Sequence, residues 1–253
     1  MDVSCFHCNT VTSQEICFVP IEFVCPSCQA QYKSERGELK YTGKFNSTYA
    51  ITLSVGQKGQ LKGTEYTVSG ILIKSAFGSY EWAEYILQDA AGNFLYLSEA
   101  SGHWILLEEV AFNEKVGNHP RTVDYDIYSF NLYEYYDAEV VGAKGFFDFD
   151  IEQKTDLIEY IHPPFILSIE KTTEEQTTFY GKHISKRDIK KAFGISDLPY
   201  SSGIGVVQTF PFNFVNTIIT FCAFAIIMVF ANWFLNKSSF TLFSPFLRVV
   251  VFE

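Results

Sequence analysis

The sequence lacks the motifs that identify most enzyme classes. It contains no Gly-x-Ser-x-Gly, no Gly-Lys-Ser or Gly-Lys-Thr P-loop ending, and no glycine-rich phosphate-binding loop ahead of a helix. No two of its histidines have the spacing of a metal site. Nothing in the sequence therefore argues for catalysis, and we expect a non-enzymatic protein.

A signal peptide and a positive net charge are also absent. The N-terminus has no basic stretch followed by an apolar core, so we expect the first half of the chain to stay in the cytoplasm. The formal net charge is -10, and between Glu108 and Glu175 sixteen acidic residues stand against five basic ones. Such a surface repels phosphate backbones, because nucleic-acid binding depends on Lys and Arg. Nucleic acid is therefore not expected to bind this region.

Four of the six cysteines form two Cys-x-x-Cys pairs. Cys5 and Cys8 are separated by sixteen residues from Cys25 and Cys28, which is typical of a four-thiolate zinc site. Four thiolates complete the tetrahedral coordination of Zn²⁺ and leave no position for water, so the expected role is structural. We predict a zinc ribbon over residues 1–46, with residues 11–24 returning as a hairpin between the two pairs.

Residues 52–195 are predicted to form an acidic, antiparallel β domain. Aromatic residues make up 17% of the chain, and this region is rich in Val, Ile, Thr and Tyr, which suit pleated sheets. Short turns such as Ala91-Gly92-Asn93 separate the strand-like runs, and such loops cannot carry parallel crossovers. The fold class is therefore mainly β, with a sandwich or a barrel-like domain.

The glycines and aromatics of this domain also resemble a known family. The pattern comprises Val55-Gly56, Gly63, Tyr66, Val68, Gly70, Trp82-x-Glu84-Tyr85-x-Leu87, Gly92, Leu97, Gly102 and Trp104, and it continues in residues 136–140, 145–147, 163–170 and 180–184. It is similar to the bacterial family called domain of unknown function 4178, over about residues 53–195. The resemblance implies an N-terminal zinc ribbon and membrane segments, but no activity.

The aromatic residues allow two interpretations. They can fill the core, or Trp82, Tyr85 and Trp104 can line a cleft that binds a small ligand or a substrate. The first interpretation is favoured, because alternating aromatics are typical of packed strands. Glu81 and Glu84 flank Trp82, but being three apart on a strand they face opposite sides and form no acid-base pair.

The C-terminal part of the chain predicts two helices. Ser185-Lys186-Arg187-Asp188 resembles a capping box and Gly194 suits a left-handed C-terminal position, so a short helix is expected there. Residues 196–213 are predicted to be a linker. Residues 214–235 contain no charged residue across twenty-two positions, enough at about 1.5 Å per residue to cross about 30 Å of hydrocarbon. We predict one transmembrane helix there.

Flanking charges predict the orientation of this helix. Four basic residues lie between 186 and 191 and only Lys237 closely follows the helix, which places the N-terminal domains on the cytoplasmic side of the inner membrane. Residues 236–253 have the pattern of two apolar strands, which cannot fold alone. We interpret them as the start of an extracytoplasmic β segment in a shortened form of a longer protein.

Together these features predict a membrane-anchored, non-enzymatic interaction or assembly module. Its expected partners are the lipid bilayer and other proteins, and its expected cofactor is a structural Zn²⁺ ion. One alternative is a ligand-binding protein or an enzyme that uses the aromatic cleft. Another is a nucleic-acid sensor that acts through the zinc ribbon alone.

Overall fold

The structure is a computed structural model that describes residues 1–112, 116–117, 119–151, 154–172 and 175–209, and the helix Phe214–Leu235. The chain divides into two compact units, Met1–Thr209 and Phe210–Glu253. The described part of the first unit is mainly β, as predicted. Its strands are β1 (Asp2–Ser4), β2 (Val11–Ser13), β3 (Glu22–Val24), β4 (Ala30–Glu35), β5 (Glu38–Lys44), β6 (Lys58–Leu61), β7 (Thr64–Ala76), β8 (Tyr80–Asp89), β9 (Phe94–Ala100), β10 (His103–Glu109), β11 (Thr122–Tyr125), β12 (Tyr128–Phe147), β13 (Lys154–His162), β14 (Phe165–Lys171) and β15 (Gln176–Ile184).

Eight of these strands close into an antiparallel barrel. The order around the barrel is β7, β8, β9, β10, β15, β14, β13 and β12, and β12 returns to β7. The closing pair places Val140 opposite Lys74 and Gly145 opposite Gly70. The predicted sandwich or barrel-like domain is therefore a barrel, in which inward-facing and outward-facing side chains alternate along each strand.

Strand β12 is long enough to serve two parts of the fold. Its N-terminal part pairs with β11 and β13, and its C-terminal part pairs with β7 and then with β3. Gly145 lies where these pairings meet, with φ 104°, and a Cβ atom there would lie 2.3 Å from the carbonyl oxygen of Ser69. Glycine is required because neither the dihedral angle nor the space suits a larger residue. The barrel is hydrogen-bonded to β3 through β12, and the sheet continues from β3 to β4 and β5.

The strands of the N-terminal ribbon, residues 1–46, pair differently from the prediction. Residues 11–24 do not return as a hairpin: β2 pairs with β1, whereas β3 pairs with β4 and β12. The reason is that each Cys-x-x-Cys sequence is itself the tight turn of a hairpin. The strands that flank one turn therefore pair with each other.

A short helix covers part of the outer surface of the barrel, as predicted. Helix α1 spans Lys186–Phe193, and the Ser185 hydroxyl accepts a hydrogen bond from the backbone N–H of Asp188. Gly194 ends the helix with φ 64°. Ile189 and Phe193 are buried in the apolar cluster that packs on the outside of β7 to β10.

Helix α2 spans Phe214–Leu235, the range predicted for the last helix, and its side chains are described for residues 217–233. Within the described residues, no helix combines the length and the apolar character needed to cross a membrane. The membrane span stays a prediction. The β segment predicted for residues 236–253 lies outside the described residues.

Candidate functional site

The structure brings the four predicted cysteines together. Cys5 and Cys8 lie in the turn between β1 and β2, and Cys25 and Cys28 lie in the turn between β3 and β4. The Cys5 and Cys28 sulfurs are 3.6 Å apart, as are those of Cys8 and Cys25. All four sulfur atoms lie within 4.8 Å of one another. The cluster is therefore compact enough for one ion.

The two cysteine turns have the same backbone hydrogen bonds. Asn9 N–H donates to the Cys5 carbonyl oxygen at 2.8 Å, and Gln29 N–H donates to the Cys25 carbonyl oxygen at 2.8 Å. Asn9 and Gln29 have φ angles of 59° and 60°. Left-handed geometry of this kind reverses the chain directly after each pair. Two equivalent turns thus present two sulfur atoms each to a common centre.

The spacing of the sulfur atoms fits a tetrahedral metal site. A zinc-sulfur bond of about 2.3 Å implies sulfur atoms about 3.8 Å apart in a tetrahedron, close to the separations found here. Hydrogen bonding with Thr10 lowers the pKa of Cys8 to about 6, whereas burial raises the pKa of Cys25 to about 12. A bound divalent cation would make the difference between these two pKa values unimportant, because thiols that coordinate a metal ion are deprotonated. The four cysteines can hold a metal ion.

Aromatic residues enclose the cysteine cluster on the side of the barrel. The Tyr32 hydroxyl lies 3.3 Å from Cys5 Sγ and accepts a hydrogen bond from the His7 backbone N–H. Phe23 packs beside Tyr32, and its ring centroid lies 4.8 Å from that of Phe146 on β12. The cluster is thus oriented by a hydroxyl group and attached to the barrel by ring packing.

The barrel encloses a central cavity of about 460 Å³. Its most buried ionic group is Lys74, whose side chain is only 4% exposed. The Lys74 ammonium lies 2.9 Å from Glu84 and 2.6 Å from Glu170. Burial lowers the pKa of Lys74, but Glu170 and Glu84 outweigh burial and hold this pKa above its usual range. Lys74 is therefore a cation in the folded protein.

Carboxylates outnumber cations in this cavity. Among the described residues that line it, Lys74 is the one basic residue, and Glu84, Glu159 and Glu170 all face the lumen. Burial, together with the charges of Glu134 and Glu84, raises the pKa of Glu159 to about 7. Without a cation beside it, this carboxylate retains its proton up to neutral pH. Lys74 thus faces two carboxylates, Glu84 and Glu170, and Glu159 adds a further negative charge only when it loses its proton.

The three aromatic residues of the alternative cleft interpretation do not converge. Trp82 lines the central cavity, where its indole N–H donates to Glu84 at 2.8 Å. Tyr85 and Trp104 stack with ring centroids 5.6 Å apart in the cluster on the outside of the barrel. Because successive side chains of a strand point to opposite faces, Trp82 and Tyr85 cannot share a cleft. The alternative interpretation, a cleft formed by these three residues, is therefore wrong, and Tyr85 and Trp104 are buried in a core cluster, as the favoured interpretation predicted.

The charged residues of the lumen were not predicted from the sequence. Lys74 follows the apolar run Ile71-Leu72-Ile73, and Glu170 follows Ile166-Leu167-Ser168-Ile169. A charged residue at an inward position of an apolar strand is the signal that could have indicated a polar lumen. The sequence alone does not reveal which face of each strand is inward.

The protein is a closed antiparallel β-barrel with a charged lumen, and strand β12 joins this barrel to a four-cysteine ribbon. The family described as "Domain of unknown function (DUF4178)" matches residues 54–186. This match covers more than half of the chain, and the chain belongs to that family. The matched range includes all eight barrel strands. No curated protein and no solved structure matches the chain.

Proposed function

We propose that the barrel binds a small molecule in its central cavity. The observation that carries this proposal is a cavity of about 460 Å³ inside a closed eight-stranded barrel. The interior of such a barrel is either filled by side chains or holds one small ligand. Here charged and aromatic side chains line the space rather than filling it, as in sites that orient a ligand through a few polar groups.

Energetics support a binding role for the charged lining. Removing charged groups from water costs several kcal/mol per ion, and apolar residues of similar volume are often equally stable or more stable. Lys74, Glu84 and Glu170 therefore contribute less to stability than a packed apolar interior would. A ligand that contacts these groups explains why the lumen is polar.

A test of this proposal combines a search for bound molecules with a variant that fills the lumen. Ser168 lines the cavity, whereas Ser129 is an exposed residue of β12. We expect the purified full-length chain to retain a molecule detectable by native mass spectrometry, Ser168→Phe to lose it, and Ser129→Phe to keep it. Retention of the same molecule by Ser168→Phe would place it outside the lumen and contradict the proposal.

We also propose that Cys5, Cys8, Cys25 and Cys28 bind a structural Zn²⁺ ion. Four thiolates fill its coordination shell and leave no open position for catalysis. Elemental analysis should find about one zinc per chain, because a closed four-cysteine site takes one ion. Cys25→Ser should lose this zinc, whereas substitution of Cys17, which is exposed and outside the cluster, should not. Equal zinc content in the two variants would contradict the assignment.

We further propose that residues 214–235 anchor the chain in the inner membrane, with residues 1–209 on the cytoplasmic side. The support is the uncharged composition of the segment, together with the basic residues that precede it. The full chain should stay in the membrane pellet after an alkaline wash, and a chain ending at Thr209 should not. Release of the full chain by the wash would contradict the anchor.

We also propose that the protein acts as an interaction or assembly module with other proteins as partners. This role is compatible with ligand binding. Its test is affinity purification of the detergent-solubilised chain, followed by mass spectrometry of proteins that co-purify reproducibly. A nucleic-acid sensor would instead require salt-sensitive binding of DNA or RNA that Cys25→Ser abolishes. We favour the ligand-binding role because a cavity supports it directly.

A further inference from the structure

One end of the barrel opens into a second pocket of about 420 Å³, which we call the mouth pocket. Residues 202–207 form one side of it. A Cβ atom on Gly205 would lie 2.8 Å from Nδ1 of His103, so the chain here lies directly on the ring. Val207 is buried against Leu107 and Ile166. This segment is therefore packed onto the end of the barrel.

Aromatic rings form another side of the mouth pocket. Trp82 and Tyr136 are nearly perpendicular, with an interplanar angle of 89° and ring centroids 6.2 Å apart. The ring centroids of Phe77 and Tyr136 are 5.1 Å apart, and those of Tyr80 and Trp82 are 5.8 Å apart. Phe77 and Tyr80 remain 65% and 42% exposed. An aromatic wall of this kind attracts cations, because the faces of the rings carry negative charge density.

Two glutamates face the same pocket in an unfavourable arrangement. Glu134 of β12 and Glu159 of β13 are direct cross-strand partners, and like charges in this register repel each other. Among the described residues that line the mouth pocket there is no Lys or Arg. Burial and the nearby His103 lower the pKa of His183, which is therefore neutral at pH 7. When either carboxyl group is ionised, none of the Lys or Arg residues that the structure describes lines the pocket to balance its charge, so a bound cation would favour ionisation of Glu159.

We propose that the mouth pocket binds an organic cation, a substituted ammonium group, with Trp82 and Tyr136 against its alkyl surface and Glu159 as its counterion. Aromatic rings suit an alkylated ammonium better than a metal ion, because hard metal ions require oxygen ligands on most sides. Trp82, Tyr136 and Glu159 line the central cavity as well as the mouth pocket, so the inference rests on the proposed ligand-binding function and adds the chemical class of the ligand. It also accounts for the exposed rings at the entrance.

The test compares two probes that differ only in charge. Choline carries a quaternary ammonium group, and 3,3-dimethylbutan-1-ol is its neutral isostere. Titration calorimetry on the full-length chain in detergent should show choline binding at least about tenfold tighter than the isostere, a difference of about 1.4 kcal/mol. Trp82 fluorescence should change on binding, because its indole lines the pocket.

Variants place the probe in the pocket. Glu159→Gln keeps the size of the side chain but cannot ionise beside a bound cation, and Tyr136→Leu removes one ring; each should weaken choline binding at least about tenfold. Glu81→Gln is the matched control, because Glu81 is exposed on the same strand as Trp82 and does not line the pocket, so its affinity should stay within about twofold of the natural chain. Circular dichroism verifies that each variant is folded.

The possible failures separate the two proposals. Equal affinity for choline and its isostere would overturn the cation assignment, as would choline binding that Glu159→Gln leaves unchanged. Failure of both probes to bind, with a retained uncharged or anionic molecule in the purified chain, would overturn the inference but not the proposed function. Failure of both probes with no retained molecule would overturn both.

Discussion

Lys74 of β7 and Glu170 of β14 form an ion pair across the lumen, with 2.6 Å between Nζ and Oε1, although their strands are not neighbours in the barrel. The same ammonium lies 2.9 Å from Glu84 of β8. One buried cation therefore connects three strands through the interior. Removal of that cation leaves two carboxylates in the lumen without compensation.

We predict that Lys74→Met destabilises the protein by about 3 to 5 kcal/mol, because it leaves buried carboxylates unpaired. The measurement is urea unfolding of the full chain, followed by fluorescence. Lys154→Met is the control, since Lys154 pairs with Glu139 at the surface, where the two side chains are 75% and 53% exposed. Loss of such a pair costs at most about 1 kcal/mol. Equal costs for the two variants would contradict a buried network.

The raised pKa of Glu159 should make the stability of the protein depend on pH. Its folded-state pKa, about 7, lies above the ordinary value of 4.5, so the folded state binds the proton more tightly than the unfolded state does. The stability that this proton contributes is complete below pH 4.5 and is lost as the pH rises toward 7. Glu159→Gln removes this loss. Relative to the natural chain, the variant should gain stability between pH 5 and pH 8, on the order of 1 to 3 kcal/mol.

The control for the pH experiment is Glu81→Gln, at an exposed position of β8. Its stability relative to the natural chain should not vary across the same pH range by more than about 0.5 kcal/mol, as for most surface substitutions. A difference for Glu159→Gln that is equally flat would show that this carboxyl group is ionised in the folded state at pH 5. The lumen would then be better solvated than its geometry indicates.

Local patterns in the sequence were sufficient for some features and insufficient for others. The capping residues around α1 and the strands of the β domain were predictable, because dihedral preferences and alternation act over a few residues. The lumen was not predictable, because its charged groups come from β7, β8, β13 and β14 and meet only when the barrel closes. The separation of Trp82 from Tyr85 has the same origin: alternation predicts opposite faces, but only closure decides which face is inside.

The Tyr32 hydroxyl provides a prediction about metal affinity. Its contact with Cys5 Sγ orients a predicted zinc ligand, and loss of such an outer contact typically lowers metal affinity about 10- to 100-fold. Tyr32→Phe should show this loss in competition with a chromophoric chelator. Tyr41→Phe is the control, because Tyr41 packs on Tyr32 but is exposed. Equal affinity in the two variants would mean that the Tyr32 hydroxyl does not act on the site.

Gly145 provides a prediction about backbone packing. Gly145→Ala combines a positive φ with a Cβ atom 2.3 Å from the Ser69 carbonyl oxygen, so we expect a cost of about 3 to 5 kcal/mol in thermal or urea unfolding. Gly37→Ala is the matched control, because Gly37 also has a positive φ, of 84°, but its Cβ atom would meet nothing within 4 Å. Its cost should be about 1 to 2 kcal/mol. Similar costs would contradict the close approach of β12 and β7.

Strand β12 has a consequence for how the protein unfolds. One uninterrupted strand pairs with β13 and β7 in the barrel and with β3 beside the second cysteine pair. Gly145 pairs with Gly70 of β7 on one side and with Val24 of β3 on the other, so the two parts share the register at this residue. We expect ribbon and barrel to melt in one cooperative transition. A chelator that removes the metal from the cysteine cluster should then accelerate amide hydrogen exchange as far away as the backbone pair of Lys74 and Val140. Hydrogen exchange in the barrel would therefore reveal whether the cysteine cluster holds its metal.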